Sequence, residues 1–236
     1  MYPSRFEYYS PSTVEEAISV LERFDGEAKI VAGGQSLIPL MKLRFVAPAA
    51  LVDINAISGL ARLDTGSDGL EIGALVRHVD CERSDLLKGR YRVLGDAAPQ
   101  ISDPIIRNRG TLCGSLAHAD PQGDWGAVML AARGEVTARG PDGTRTIAID
   151  DLLAGPFTSS LGPAEVITSA RVADPGPRTG GTYLKLERKV GDYATAAVAA
   201  QVTLDDGKVA SAGIGLTGVG GTNLRADAAE EVLVGS

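Results

Sequence analysis

The sequence predicts an α+β fold: an N-terminal part of strands and helices in two subdomains, then a C-terminal antiparallel sheet of three strands with helical cover. Three observations carry this. Residues 1–55 alternate short apolar runs with segments of helical period, a βαβαβ-like pattern. The stretch Asp174-Pro175-Gly176-Pro177-Arg178-Thr179-Gly180-Gly181 has no period at all and reads as a linker. Three strand-like runs follow it, two of them joined by the hairpin signal Asp205-Asp206-Gly207. The expected units are therefore 1–55, 56–175 and 178–236.

The elements follow in order. Ser12-Thr13-Val14-Glu15 reads as a capping box, and Val14, Ala17, Ile18 and Leu21 recur at helical spacing, so a helix is expected over about 13–24. Residues 28–32 form a short apolar strand that runs into Gly33-Gly34, Ser36 heads a helical pattern over 37–44, and 51–54 is another strand. Residues 70–75 read as a strand, and 78–85 and 91–98 as helices. The glycine-containing stretch 109–115 reads as a loop leading to a helix over 124–132. Runs 135–139 and 144–149 flank Pro141-Asp142-Gly143 as a hairpin, and 165–172 is a further strand. Beyond the linker, 182–189, 195–204 and 208–216 are strands, and 226–233 is a short helix.

Composition removes several function classes. Acidic residues outnumber basic ones 30 to 23, which is not the electrostatic footprint of a nucleic-acid binder. No apolar run approaches the ~18 residues of a membrane span. The start, Met1-Tyr2-Pro3-Ser4-Arg5-Phe6, has no apolar core of a secretory signal. Cys81 and Cys113 make no disulfide framework, so a reducing cytoplasm is the expected compartment. Glycine is over-represented, with 29 of 236 residues, which points to turns or to loops where backbone approaches a ligand.

Two segments fit the second purpose. In Ala32-Gly33-Gly34-Gln35-Ser36 the glycines admit a close ligand and the following helix start offers free N–H groups, an anion site. An ordinary tight turn is the alternative. Thr111-Leu112-Cys113-Gly114-Ser115 repeats the recipe after Gly110, and two such loops suit a diphosphate gripped from both sides. A third glycine motif, Gly213-Ile214-Gly215-Leu216-Thr217-Gly218, matches a dinucleotide fingerprint on paper. It lacks the following helix and acidic residue, and reads as a strand end and turn.

Other chemistry is poorly represented. His78 and His118 have no ligand-spaced partner, so no metal site is expected, and no nucleophile elbow or phosphate-loop lysine motif is present. Cys113 reads either as a thiol activated by neighbouring N–H groups or as a small residue that fits its loop. Asp120 and Asp124 read as helix caps. Tyr183 and Tyr193 flank a lysine cluster and say little by themselves.

Four segments nevertheless carry a resemblance: VAGGQSLIPLMKLRFVAPAALVDI (31–54), IGALVRHVDCERSDLL (72–87), DPIIRNRGTLCGSLAHADPQGDWGAVMLA (103–131) and LERKVGDYATAAVAA (186–200). They resemble the flavin-binding medium subunits of molybdenum hydroxylases, the xanthine dehydrogenase and aerobic carbon monoxide dehydrogenase family, over essentially the whole chain. The resemblance implies FAD in a vanillyl-alcohol-oxidase/PCMH-like fold. Ala32, Gly33, Gly34, Gln35 and Ser36, with Thr111, Leu112, Cys113, Gly114 and Ser115, match the family's pyrophosphate loops. Asp124 matches an acidic position near the ribose and phosphate, Lys185 a lysine near the flavin N1/C2=O edge, and Tyr193 a tyrosine close to the ring. The ring would lie in the cleft between the N- and C-terminal parts.

The implied function is electron transfer without substrate chemistry, so no catalytic residue and no metal are expected in this chain. A large subunit with a molybdopterin cytosine dinucleotide-type molybdenum cofactor would oxidise substrate. A small subunit with two 2Fe–2S clusters would relay electrons to FAD, in a dimer of heterotrimers. Quinone, oxygen or NAD would be the external acceptor. The strings GDYATAA (191–197) and GIGLTGV (213–219) look most like carbon monoxide dehydrogenase, with xanthine, nicotine, other N-heterocycle or aldehyde dehydrogenases as the alternative. A stand-alone FAD oxidoreductase, a nucleotide-binding regulatory module and a cofactor-free structural subunit are the remaining alternatives. The implied location is cytoplasmic or peripheral at the inner face of the membrane.

Three departures from the family pattern stand out. Gln35 stands where carbon monoxide dehydrogenases often have His, which counts against that narrower assignment, and Cys113 replaces a Gly frequent in the family. A left-handed backbone at Cys113 would cost about 1 kcal/mol or more. The chain also stops several tens of residues short of the family's usual length, so its last domain is expected to be short or trimmed.

Overall fold

The computed structural model describes residues 2–236. The first unit runs β1 (Glu7–Tyr9), α1 (Val14–Arg23), β2 (Ala28–Val31), α2 (Leu37–Leu43) and β3 (Ala50–Asp53). Its strands form a parallel sheet in the order β1-β3-β2. Helix α1 buries Val14, Ala17, Ile18 and Leu21, the stripe that the spacing predicts. The capping box sits one residue later than expected. Thr13 is the N-cap, its hydroxyl accepts from the Glu16 N–H at 3.1 Å, and Glu16, not Glu15, reaches back to the N–H of Ser12 at 2.8 Å. Once Thr13 caps, the third helical position is 16, which decides which glutamate can return.

The second unit is built on β4 (Leu63–Gly66), β5 (Gly69–Gly73), α3 (His78–Arg83), α4 (Arg92–Ala97), α5 (Pro104–Arg107), α6 (Leu112–His118), α7 (Asp124–Ala131), β6 (Glu135–Gly140), β7 (Gly143–Ala148), α8 (Ile149–Leu152) and β8 (Val166–Val172). Its strands form an antiparallel sheet in the order β4-β5-β8-β6-β7. Strand β4 escaped the sequence reading because LDTG is short and polar, as suits a sheet edge. The reading of 109–115 as a loop is corrected here. Thr111 is an N-cap whose hydroxyl accepts from the Gly114 N–H at 3.1 Å, and α6 starts at Leu112 with Leu112, Cys113 and Leu116 buried.

The third unit comprises β9 (Thr179–Glu187), β10 (Ala194–Asp205), β11 (Lys208–Thr217), β12 (Leu224–Arg225) and α9 (Asp227–Leu233). The three expected strands are present, and the two-residue β12 adds a fourth to give the antiparallel order β12-β11-β10-β9. Asp205 faces Lys208 across the hairpin. Asp206 and Gly207 between them both have positive φ, 46° and 79°, the geometry of a type I′ turn. The last three linker residues join β9, because Thr179, Gly180 and Gly181 pair with Thr203, Val202 and Gln201.

Helix α7 is the hub. All eight of its residues are buried, and it packs on β10, β11, α4 and α6. The glycines of the false fingerprint explain this close approach. A Cβ at Gly213 or Gly215 would overlap the carbonyl oxygen of Ala131 or Ala127, so β11 lies directly on the helix backbone. Helix α9 is clamped to the same region through Glu230. Its carboxylate accepts from the Ile214 N–H at 2.8 Å and from Arg133 and Arg225 at 2.9 Å.

Candidate functional site

The β2–α2 turn carries Ala32, Gly33, Gly34, Gln35 and Ser36. Gly34 has φ 72°, a conformation that disfavours other residues. Among the described residues, the N–H groups of Gly33, Gly34, Gln35, Ser36 and Leu37 meet no protein acceptor, and the Ser36 hydroxyl makes no capping bond. The only side-chain bond within the turn is from Gln35 Nε2 to the Gly33 carbonyl, at 3.3 Å. Gly33 is buried. A buried N–H without an acceptor is costly, so this run of donors fits an anionic ligand.

The second segment lies against the first. A Cβ at Gly33 would overlap the Arg109 carbonyl and approach the Gly110 Cα to 2.7 Å. Gly33 is therefore small because the two segments touch there. Thr111, Leu112, Cys113, Gly114 and Ser115 form the N-cap and first turn of α6. The N–H groups of Thr111 and Cys113 meet no protein acceptor among the described residues. Gly114 is fixed by the cap, since a Cβ there would stand 2.5 Å from Thr111 Oγ1.

Cys113 is neither strained nor reactive. Its φ is not positive. Its thiol is buried 3.7 Å from the Ile72 carbonyl, and burial pushes its pKa far up.

Three side chains brace this region: Asn55 and Arg77, which sequence reasoning passed over, and His78, which it weighed only as a metal ligand. Asn55 Nδ2 donates to the Ala32 carbonyl at 2.8 Å. Arg77 Nη1 donates to the Arg109 carbonyl at 2.6 Å, and Arg77 Nη2 donates to Asn55 Oδ1. His78 lies behind Gly110, its Nε2 2.6 Å from where a Cβ would stand. Its Nδ1 accepts from Trp125 Nε1 at 3.0 Å. Burial, and the charges of Arg107 and Arg77, push its pKa down to about 4.

From Ser115 the site continues to α7. A Cβ on Gly123 would lie 3.7 Å from Ser115 Oγ. Asp124 opens α7, but it is no exposed cap. It is buried, it accepts from the Tyr183 hydroxyl at 2.5 Å, and Lys185 Nζ lies 3.2 Å away. Burial raises its pKa against the opposing pull of Lys185 and Tyr183. Tyr183 and Lys185, two apart on β9, therefore face the same partner. That alternation was the available signal for Tyr183.

Asp124 and Lys185 were expected at different parts of a cofactor, yet they form one ion pair. Lys185, its side chain 1% exposed, also donates to the Gln100 carbonyl at 3.0 Å. Its distance to Glu187 is 3.7 Å, beyond hydrogen-bond reach. Glu187 Oε2 is buried with no hydrogen-bond partner. One lysine donor and one carboxylate oxygen thus stand without hydrogen-bond partners among the described residues. Tyr193 stands just before β10 and is 57% exposed. Partial burial, with the charges of Asp120 and Asp124, raises its pKa. Asp120 caps nothing but its own turn, accepting from the Gln122 N–H at 2.9 Å.

The geometry defines an anion-binding α+β protein: paired backbone donor runs, then a buried charged cluster under a C-terminal sheet. Comparison with known proteins agrees. Residues 4–175 match the family described as the FAD binding domain in molybdopterin dehydrogenase, and residues 181–236 the CO dehydrogenase flavoprotein C-terminal domain. The chain belongs to this family of FAD-binding molybdopterin dehydrogenase subunits.

It is 40% identical over 237 residues to the 6-hydroxypseudooxynicotine dehydrogenase complex subunit alpha of Paenarthrobacter nicotinovorans, covering all of this chain and 80% of that one. It is 38% identical over 235 residues to the carbon monoxide dehydrogenase medium chain of Hydrogenophaga pseudoflava, covering all of this chain and 82% of that one. Superposition on carbon monoxide dehydrogenase from Hydrogenophaga pseudoflava gives a TM-score of 0.97 at 41% identity. Quinoline 2-oxidoreductase from Pseudomonas putida 86 gives 0.91 at 31%. Both superpositions cover all of this chain and 82% of the other. No helix among the described residues is long and apolar enough to cross a membrane.

Proposed function

We propose that the chain holds FAD and relays electrons within a molybdenum hydroxylase complex of the carbon monoxide dehydrogenase type. The observation that carries this reading is the pair of unpartnered N–H runs, 33–37 and 111 with 113, packed edge to edge. Flavin supplies a centre that exchanges electrons singly or in pairs, which suits it to join one-electron clusters to a two-electron acceptor.

The chain's own residues bind, orient and shield. Within 32–36 the free N–H groups of Gly33, Gly34, Gln35 and Ser36 face one phosphate, and within 111–115 those of Thr111 and Cys113 face the other, while Leu112, Gly114 and Ser115 spend their N–H groups on the protein. The Ser36 hydroxyl, free of any cap role, adds a donor. Lys185 places its spare ammonium donor at the ring edge, held there by Asp124 and the Gln100 carbonyl, with Tyr183 fixing Asp124. Tyr193, on the exposed side, covers the ring. No substrate base or nucleophile is assigned to this chain.

In this reading a small subunit with two 2Fe–2S clusters delivers the electrons, and a large subunit with a molybdopterin cytosine dinucleotide-type cofactor oxidises the substrate. The complex is a dimer of heterotrimers, cytoplasmic or peripheral at the inner membrane face, and it reduces quinone, oxygen or NAD. The 38% identity to the carbon monoxide dehydrogenase medium chain supports carbon monoxide as the substrate of the complex. The 40% identity to the 6-hydroxypseudooxynicotine dehydrogenase complex subunit alpha supports an N-heterocycle as the second reading.

The test is purification with copurifying subunits. The expected preparation shows flavin bands near about 370 and 450 nm, contains iron, acid-labile sulfide and molybdenum, and reduces a dye with carbon monoxide. Dye reduction with nicotine-type heterocycles alone selects the second reading. A preparation without flavin absorbance overturns both.

A further inference from the structure

The two donor runs begin 78 residues apart in sequence, the first after strand β2 and the second after helix α5. One pair of side chains ties them together. From Ala32, the bridge passes through Asn55 to Arg77 and ends on the Arg109 carbonyl. Both of its members are anchored. Asp53 Oδ1 accepts from the Asn55 N–H at 2.9 Å and from Asn55 Nδ2 at 2.6 Å, while Asp53 Oδ2 accepts from the Tyr8 hydroxyl at 2.6 Å. The Arg77 N–H donates to the Asp80 carboxylate at 2.8 Å. On either side of Arg77, His78 N–H donates to the Gly110 carbonyl at 3.0 Å and Leu112 N–H to the Val76 carbonyl at 3.3 Å.

The bridge acts on the donors themselves. A peptide is planar and trans, so its N–H points opposite to its C=O. Fixing the Ala32 carbonyl on Asn55 therefore aims the Gly33 N–H the other way. Fixing the Arg109 carbonyl on Arg77 sets the segment that enters the Thr111 cap. Arg77 makes no ion pair among the described residues, so its fork is committed to this bridge. A lysine would keep the charge but would not span two acceptors with the planar fork of an arginine.

We propose that Asn55 and Arg77 are positioning residues for a two-phosphate ligand: their bridge sets the separation of the two donor runs and so favours a diphosphate over a monophosphate. This rests on the reading of the site as one that holds FAD. FMN carries one phosphate and needs one donor run. FAD carries two and needs both at the correct spacing. The bridge should therefore affect the ratio of the two affinities more than either fold or flavin-ring contacts.

The experiment uses the purified protein with its copurifying subunits, deflavinated and titrated with FAD and with FMN by fluorescence. Asn55→Ala, Arg77→Met and the double variant are compared with the unaltered protein. The FAD-to-FMN affinity ratio should fall about tenfold or more in each single variant, the scale of a lost outer partner of a binding site. It should fall little further in the double, since both changes cut one bridge.

Arg77→Lys, the mildest change, should lower the ratio almost as far as Arg77→Met. If the ratio stays unchanged while both affinities drop together, the bridge is only structural and the proposal is overturned. Recovery of the full ratio in Arg77→Lys also overturns it, because charge alone would then suffice. Failure of the unaltered protein to bind FAD overturns the functional reading and takes this proposal with it.

Discussion

Replacing Lys185 by Met removes the only cation paired with Asp124 among the described residues and leaves the half-buried Glu187 facing that buried carboxylate. Breaking a buried pair in this way costs about 3–5 kcal/mol, far more than losing an exposed pair. Urea titration of the flavin-free protein should show a loss of that size. A loss under about 1 kcal/mol would mean that Asp124 is protonated in the fold. His78 gives a pH signature. Its pKa is about 4 in the fold and near 6.5 when unfolded. Above pH 6.5 it is neutral in both states and its contribution is complete. As pH falls from 6.5 towards 4, the unfolded chain binds a proton that the fold refuses, so up to about 3 kcal/mol is lost. Melting at pH 7.5 and 4.5 should show a larger drop for the unaltered protein than for His78→Gln. An equal drop would sink this assignment. At this scale the sequence was partly legible. Ala32 to Ser36 announce themselves by composition, and Asp124, Lys185 and Tyr193 came only through family resemblance. Asn55 and Arg77 were illegible, because their role exists only once two distant carbonyls are brought within reach.

Helix α7 and strand β11 show what an element demands of its neighbour. Gly215 permits the contact with the Ala127 carbonyl, whereas Gly180 on β9 has nothing within 4 Å of a would-be Cβ and no positive φ. Gly215→Ala should cost about 3 kcal/mol by forcing helix and sheet apart. Gly180→Ala should be neutral or stabilise by about 0.5 kcal/mol, by restricting the unfolded chain. Thermal melts of the two variants check the contrast, and similar melting temperatures would contradict it. The elements were legible wherever one period dominated. Helix α1 and the β10–β11 hairpin follow the apolar spacing and the Asp-Gly turn. Helix α6 was misread because glycine and hydroxyl residues signal a loop, while the Thr111 cap and the burial of Leu112 and Leu116 decide for a helix.

At the scale of the whole molecule, the α+β class and the division near the Pro/Gly stretch follow from where the periodicity changes. The packing of the third sheet on α7 does not, because it depends on side-chain-free positions whose meaning appears only in contact. The sequence marked Gly213, Gly215 and Gly218 as a spurious fingerprint, but did not show the first two as the floor on which the hub helix rests. That floor has a consequence for synthesis. Asp124 sits at the head of α7, yet Tyr183 and Lys185, which satisfy it, and the glycines that seat its helix all lie downstream on the third sheet. On the ribosome both donor runs emerge early and can fold against each other, while the charged end of the site waits for the hairpin that closes near residue 217. A nascent chain arrested before that hairpin leaves Asp124 without Tyr183 and Lys185 and helix α7 without its seat.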